Sequence, residues 1–270
     1  MTILITGGRG KIARAVAAGL IAAGQDVRVA SQEPSDLPAD LPSAIRYDAT
    51  DPAPALRDIS QVFLYSDPAS APAFVEAAEA AGVKQVVLLS SLSVLGGAED
   101  PHAKTEQVIA SGSYATTRLQ PGAFMRNATY WAYQARATGQ IRLPYLEAEE
   151  APIHEQDIAD AALRVLLDGP GHGHDGRGYP LTGPESMTRR RQIELITERT
   201  GVPIEAVDLT ADQARGELQL RDEGQRETLL AYWASRVGKP QAVEPGVEIL
   251  SGHAARTFVT WLTDNPGLFN

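Results

Sequence analysis

The chain has no cysteine among its 270 residues, which excludes disulfides, thiolate nucleophiles and cysteine-based metal sites. Positive charge is in short supply: 24 Lys and Arg face 34 Asp and Glu, a net charge of -10. A duplex phosphate backbone would be repelled overall, which argues against a nucleic-acid partner. No apolar run approaches the roughly 20 residues that a membrane span needs, so no membrane association is expected. The N-terminus runs directly into a strand pattern rather than a signal peptide, and a cytoplasmic location is the expectation. Histidine is sparse, and the one close pair, His172 and His174, lies in a glycine-rich stretch that reads as a flexible surface loop. No third ligand recurs at a useful spacing, so no metal is expected.

What is present is ordinary for a folded chain, at 43% hydrophobic and 21% charged residues. The length fits one elaborated domain or a domain with an appended lobe. The informative stretch comes first. A short apolar run, Ile3-Leu4-Ile5, ends in Thr6-Gly7-Gly8-Arg9-Gly10-Lys11, after which Ile12, Val16, Ala17 and Leu20 recur at helical spacing. Strand, tight turn and helix in that order form a phosphate cradle. Glycine lets the backbone turn sharply and approach a ligand oxygen, and the amides at the helix start face a pyrophosphate. Gly7, Gly10 and Ala13 give the spacing G-x-x-G-x-x-A.

Residues 26–31 read as a second strand, whose end lies where an adenosine ribose is bound. Ser31 and Gln32 stand there instead of an acidic residue, Glu33 comes slightly later, and Arg9, Lys11 and Arg28 bring positive charge. This pattern favours NADP, although Glu33 turned inward would favour NAD. Residues 33–42 read as a proline-punctuated loop, and 44–49 as a third strand ending at Asp48. Asp48 could accept from an adenine amino group or cap the turn into Pro52. Strands at 61–66 and 84–91, with a helix at 69–81 between them, alternate as in a doubly wound parallel (Rossmann) α/β sheet. Tyr65, Ser66, Ser90, Ser91 and Ser93 then lie at the carboxyl ends of strands, where ligands sit.

Three stretches carry a more specific resemblance: 6–12, the run Ala80-Ala81-Gly82-Val83-Lys84-Gln85-Val86-Val87-Leu88-Leu89-Ser90-Ser91, and Leu119-Gln120-Pro121-Gly122-Ala123-Phe124-Met125-Arg126-Asn127. With Asp157-Ile158-Ala159-Asp160, Leu181-Thr182-Gly183-Pro184-Glu185 and Phe258, they make the chain similar to the NmrA-like family of atypical short-chain dehydrogenase/reductases. The resemblance implies pyrophosphate contacts from Gly7, Gly10 and Ile12 within the turn that also holds Gly8 and Lys11. It implies a 2′-phosphate on Arg9 and Ser31, adenine against Asp48 and Ala49, and the adenosine-side ribose and bridge against Tyr65 and Ser66. Pro121 to Phe124 would form the loop by the nicotinamide. Gln120 departs from the arginine common before Pro-Gly in the family.

A second departure is catalytic. The helix expected to carry a Tyr-x-x-x-Lys pair reads Pro101-His102-Ala103-Lys104-Thr105-Glu106, with His102 and Glu106 at that spacing instead. His102 could supply a proton with Glu106 orienting it, since histidine titrates near neutral pH. The two could equally be a solvent-facing pair at a helix start. A third reading has no side-chain acid, only a carbonyl held by Ser91 or Ser93.

After a sixth strand at 114–119, Phe124, Met125, Tyr130, Trp131 and Tyr133 crowd one helix, as core or as the wall of a substrate pocket. Residues 153–167 form an amphipathic helix and 179–182 a strand, followed by helices at 189–199, 211–219, 223–237 and 252–262. Arg189-Arg190-Arg191 reads as a solvated helix face. Leu229, Leu230, Tyr232 and Trp233 could roof the substrate or dock the lobe. The expected division is a nucleotide-binding domain at 1–150 and a smaller, mostly helical C-terminal substrate lobe at 151–270, packed on the first. With only four lysines in an arginine- and alanine-rich chain, the composition suggests a GC-rich bacterial source, where such proteins tailor secondary metabolites. The resulting expectation is an NADPH-dependent ketoreductase of a hydrophobic, polycyclic aromatic carbonyl compound. A quinone oxidoreductase and a non-catalytic NADP sensor are the alternatives.

Overall fold

The computed structural model describes residues 1–38, 41, 43–65, 68–218 and 222–270. In chain order the strands and helices are β1 (Thr2–Ile5), α1 (Lys11–Ala22), β2 (Asp26–Ser31), β3 (Ala44–Arg46), β4 (Ile59–Tyr65), α2 (Ala71–Ala81), β5 (Gln85–Leu89), α3 (Pro101–Ile109) and β6 (Ala115–Pro121). There follow α4 (Ala128–Thr138), β7 (Gln140–Pro144), β8 (Glu149–Glu150), α5 (Glu155–Asp168), β9 (Gly178–Leu181), β10 (Met187–Thr188) and α6 (Arg189–Thr200). Last come β11 (Glu205–Leu209), α7 (Ala211–Glu217), α8 (Glu223–Ser235), α9 (Gly246–Ser251) and α10 (Phe258–Asp264).

The chain falls into two compact units. The first comprises 1–121, 155–181 and 245–253, and the second 122–154, 182–244 and 254–270. The contacts therefore do not divide the chain near residue 150: α5, β9 and α9 return to the first unit.

In the first unit a seven-stranded parallel sheet runs β3-β2-β1-β4-β5-β6-β9. This is the doubly wound order in which the strand sequence reverses between β1 and β4. Because successive side chains of a strand point to opposite faces, continuous apolar strands are buried twice. Leu4, Val62, Leu64, Val86 and Leu88 join Phe74 of α2 and Ile109 of α3 in one core cluster. On the other face α1 and α5 lie together. Gly19 makes that approach possible, since a Cβ there would sit 2.6 Å from Leu163 Cδ2. Two buried glutamines tie α5 to the sheet. Gln61 Nε2 donates to Gln85 Oε1 at 2.6 Å and to the Leu166 carbonyl at 2.9 Å, and Gln85 Nε2 donates to the Val165 carbonyl at 3.3 Å.

The second unit has its own core, in which Met125, Trp131, Ile141, Leu143, Ile193, Phe258 and Trp261 cluster. Here β7 and β11 pair in parallel, and β8 pairs antiparallel with β10. None of these four strands is evident in the sequence. The helix expected at 252–262 begins only at Phe258, as α10, whose start Thr257 caps by accepting from Thr260 N; Gly252 instead follows α9 and ends it in the left-handed conformation. The helix expected at 211–219 reaches Glu217 as α7, and Gln219 lies outside the described residues. Among the described residues, no helix is long and apolar enough to cross a membrane.

Candidate functional site

The glycine turn sits at the carboxyl end of β1, the central strand at which the strand order reverses. Gly7 adopts φ +68, which a side chain would strain. Gly8 N donates to the Ala30 carbonyl at 2.9 Å, drawing the turn against β2. A Cβ on Gly8 would lie 2.5 Å from Val29 Cγ1, so no other residue fits without displacement. Gly10 N donates back to the Gly7 carbonyl at 2.8 Å, and Gly10, which carries no side chain to cap with, stands at the N-cap of α1. The first-turn amides, joined by the positive end of the helix dipole, suit a pyrophosphate. Lys11 is exposed beside them and Ile12 is buried beneath. The Tyr65 ring lies over the turn, so that a Cβ on Gly7 or Gly10 would meet it at 2.7 or 3.0 Å. Ser66 lies outside the described residues. The cradle fits a dinucleotide phosphate bridge in shape and polarity.

Around the expected adenosine end, Ser31 is buried at the end of β2, with its carbonyl accepting from Tyr47 N. Arg9 Nη1 pairs with Asp36 Oδ2 at 3.2 Å. Glu33 instead accepts from the Ser35 hydroxyl at 3.0 Å. Arg28, counted among the charges favouring NADP, donates to the Arg57 carbonyl at 2.6 Å. Asp48 Oδ1 accepts from the Thr50 hydroxyl and N–H at 2.7 and 2.9 Å, bonds that hold its carboxyl below its ordinary value. The turn-capping alternative is thus realised locally, beside a half-buried Ala49.

At the carboxyl end of β5, Ser90 Oγ is buried and has no partner among the described residues. Ser91 Oγ accepts from the Ser93 hydroxyl at 3.0 Å and from Ser93 N at 3.2 Å. A hydroxyl that accepts twice keeps its own proton to give. Asp100 caps α3 by accepting from His102 N and Ala103 N, with Pro101 as the first helical residue. Among the described residues His102 Nδ1 is buried without a partner.

Glu106 does not orient His102, nor does it face solvent. It is 7% exposed, and both of its oxygens accept from Gln120 Nε2, at 2.9 and 3.1 Å. The residue that departs from the family pattern is therefore the partner of the one expected to serve the histidine. Gly178 leaves room for the pair, since a Cβ there would lie 3.0 Å from the Gln120 amide. An open cavity of about 510 Å³ beside α3, lined by Val94, Ala103, Glu106, Gln107, Ala110, Ser111 and Arg118, includes none of the glycine-turn residues.

Pro121 ends β6 opposite Leu181 of β9. In the second unit, Phe124 bridges to Ile153, and the Ala123 carbonyl accepts from Ile153 N at 2.8 Å. The aromatic helix is split between two roles. Met125, expected at the substrate, is 1% exposed and belongs to the core with Trp131, whereas Tyr130 is 78% exposed and Tyr133 is exposed one turn on.

Trp233, also expected at the substrate, is occupied within its own unit. The Arg189 guanidinium lies 4.0 Å from its ring centroid, and its indole N–H donates to Glu150. Arg189 is no solvated residue: it is 2% exposed, donates to the Pro144 carbonyl at 2.6 Å, and burial pushes its pKa down to about 10 against the pull of Glu150 and Asp208. Burial likewise raises the Glu150 carboxyl, opposed by Arg189 and Arg236. Arg190 and Arg191 pair with Glu147, Glu194 and Glu198.

The histidine loop is pinned at one of its two histidines. His174 Nε2 lies 2.9 Å from Asp168 Oδ2 and Nδ1 lies 2.9 Å from the Tyr179 hydroxyl. Among the described residues one trio, Asp157, Asp160 and His253, brings potential metal-ligand atoms within 4.8 Å of one another, but all three have protein partners.

Residues 7–169 match the family model described as NAD(P)H-binding. A (4-alkanoyl-5-oxo-2,5-dihydrofuran-3-yl)methyl phosphate reductase of Streptomyces griseus is 30% identical, with 99% of each chain covered. Agroclavine dehydrogenase of Claviceps fusiformis is 29% identical over 100% of this chain and 99% of its own. The Escherichia coli NADPH-dependent quinone oxidoreductase, solved in complex with NADPH, shares the fold at a TM-score of 0.83, with 23% identity and both chains fully covered. With this fold, cradle and full-length similarity, the chain belongs to the NAD(P)H-binding family of NmrA-like, atypical short-chain dehydrogenase/reductase type, as an NAD(P)H-dependent reductase.

Proposed function

We propose that the chain is an NADPH-dependent reductase that delivers hydride to a ketone or quinone-like carbonyl of a hydrophobic, planar small molecule, as in the tailoring of a secondary metabolite. The observation that carries this reading is the glycine turn leading into α1 at the carboxyl edge of a sheet whose next strand but one runs into Ser90 and Ser91. Bound NADPH would supply the hydride from its nicotinamide C4. Gly7, Gly8 and Gly10 would admit the phosphate bridge, with Arg9 and Ser31 at the 2′-phosphate. Asp48, Ala49 and Tyr65 would lie along the adenosine half, and Pro121 by the nicotinamide.

Ser91 would donate its remaining proton as a hydrogen bond to the carbonyl oxygen, backed by Ser93, and so fix the carbonyl for attack. As the alkoxide develops, a proton must reach that oxygen. His102 could give it from Nε2, although a charged imidazole would then bury an Nδ1–H with no acceptor. The full-length relative that reduces an oxo-dihydrofuran supports a carbonyl-bearing acceptor.

The test offers NADPH with a panel of ketones and quinones and follows its absorbance. Consumption with either class supports the reductase, and consumption with neither, despite tight binding, favours a sensor. In the His102→Ala variant, loss of the turnover that the native protein shows below neutral pH, with the two converging above it, supports a histidine donor. An unchanged profile from pH 5 to 8 assigns the proton to water relayed by the serines.

A further inference from the structure

The adenosine end holds an acidic side chain that is not in the usual place at the end of β2. Pro34–Asp36 forms a single 3-10 turn after Glu33, and Ser35 ties Glu33 back upon it. Leu37 N donates to the Pro34 carbonyl at 3.0 Å, and Leu37 itself is buried, its Cδ2 within 3.1 Å of a Cβ placed on Gly8. The turn is thereby anchored to the phosphate cradle, and from it Asp36 reaches Arg9 at 3.2 Å. Two other charges of this region are committed elsewhere: Glu33 to Ser35, and Arg28 to the Arg57 carbonyl.

We propose that Asp36 is the specificity-determining residue for the dinucleotide, working as a counter-charge to Arg9. This inference rests on the cofactor reading above. A carboxylate at the adenosine ribose accepts from its hydroxyls and repels a 2′-phosphate, whereas a guanidinium attracts that phosphate. In the free protein the two groups neutralise each other. A 2′-phosphate must take Arg9 away from Asp36, while an unphosphorylated ribose leaves the pair in place and gains Asp36 as an acceptor. Asp36 therefore restrains a preference that Arg9 and Ser31 would otherwise make strong, and the native chain accepts NADH as well as NADPH. Both side chains are largely exposed, at 61% and 47%, so either can be replaced without disturbing the core.

The experiment is direct binding of NADPH and NADH to the full-length protein, followed by nucleotide fluorescence, with no turnover required. Asp36→Asn should raise the NADPH-to-NADH affinity ratio about tenfold, the size of one charge interaction across a solvated gap. Arg9→Gln should lower it by at least as much, and the double variant should return close to the native ratio. A ratio within twofold of native in Asp36→Asn overturns the proposal while leaving the cofactor reading intact. A native protein that binds neither dinucleotide overturns both.

Discussion

Replacing Gly8 by alanine tests the cradle through two independent measurements. The added Cβ would stand 2.5 Å from Val29 Cγ1, about 1 Å inside an ordinary carbon contact, and 3.1 Å from both the Ala30 carbonyl oxygen and Leu37 Cδ2. Val29 and Ala30 are fully buried, so neither can swing aside, and the turn must lift away from β2. Overpacking of this kind costs about 1–3 kcal/mol. At about 2–4 °C per kcal/mol for a chain of this size, the melting temperature should fall by roughly 2–12 °C. Lifting the turn also stretches the Gly8 N–H bond to Ala30 and displaces the α1 amides by a large fraction of a hydrogen-bond length, so NADPH affinity should fall at least about tenfold. Gly216→Ala is the control: it lies in α7 with nothing within 4 Å of its missing Cβ and should be neutral or up to about 1 kcal/mol stabilising, with binding unchanged. Differential scanning fluorimetry with and without NADPH reads both effects. A Gly8→Ala protein that melts with the native one and shows the same nucleotide-induced shift would refute the reasoning.

Two further outcomes follow from buried charge. Arg189→Met leaves Glu150 without its main cation and should cost about 3–5 kcal/mol in urea unfolding, whereas adding Glu150→Gln should recover much of the loss. Additive losses would show that the two do not act as a pair. Burial raises the Asp168 carboxyl, but the bonds from His174 and Arg164 outweigh it and hold the group below its ordinary value of 3.8. A depressed carboxylate contributes stability above its unfolded value and loses it as pH falls through the folded one. Asp168→Asn should therefore lower stability by about 1–2 kcal/mol at pH 7, and the gap should close below about pH 4. A gap that persists in acid counts against the His174 contact.

The sheet was legible because its strands are continuous apolar runs punctuated by glycine, and the phosphate turn because its glycines answer local demands of φ and clearance. Long-range pairing was not legible. Glu106 sits at a helical offset from His102 that suggests a local partnership, yet its partner is a strand residue brought in by the sheet. Asp36 was overlooked for Glu33 because nearness in sequence to β2 is no guide to which carboxylate the 3-10 turn aims at Arg9. Arg189 reads as one of three surface arginines because a run conceals which member is turned inward. The start of α10 carried a local signal that went unused, the Thr257 cap.

The glutamines that fasten α5 to β4 and β5 donate to carbonyls of its last turn, Gln61 to Leu166 and Gln85 to Val165, which also accepts from Gly169 N. The polypeptide departs from the sheet after Pro121 and comes back at Glu155, and this clasp re-registers the returning helix whatever the intervening excursion contains. Evolution can thus lengthen, shorten or rewrite residues 122–154 while the nucleotide platform keeps its shape. New acceptors can then be recruited to an old hydride donor by editing a detour rather than the frame.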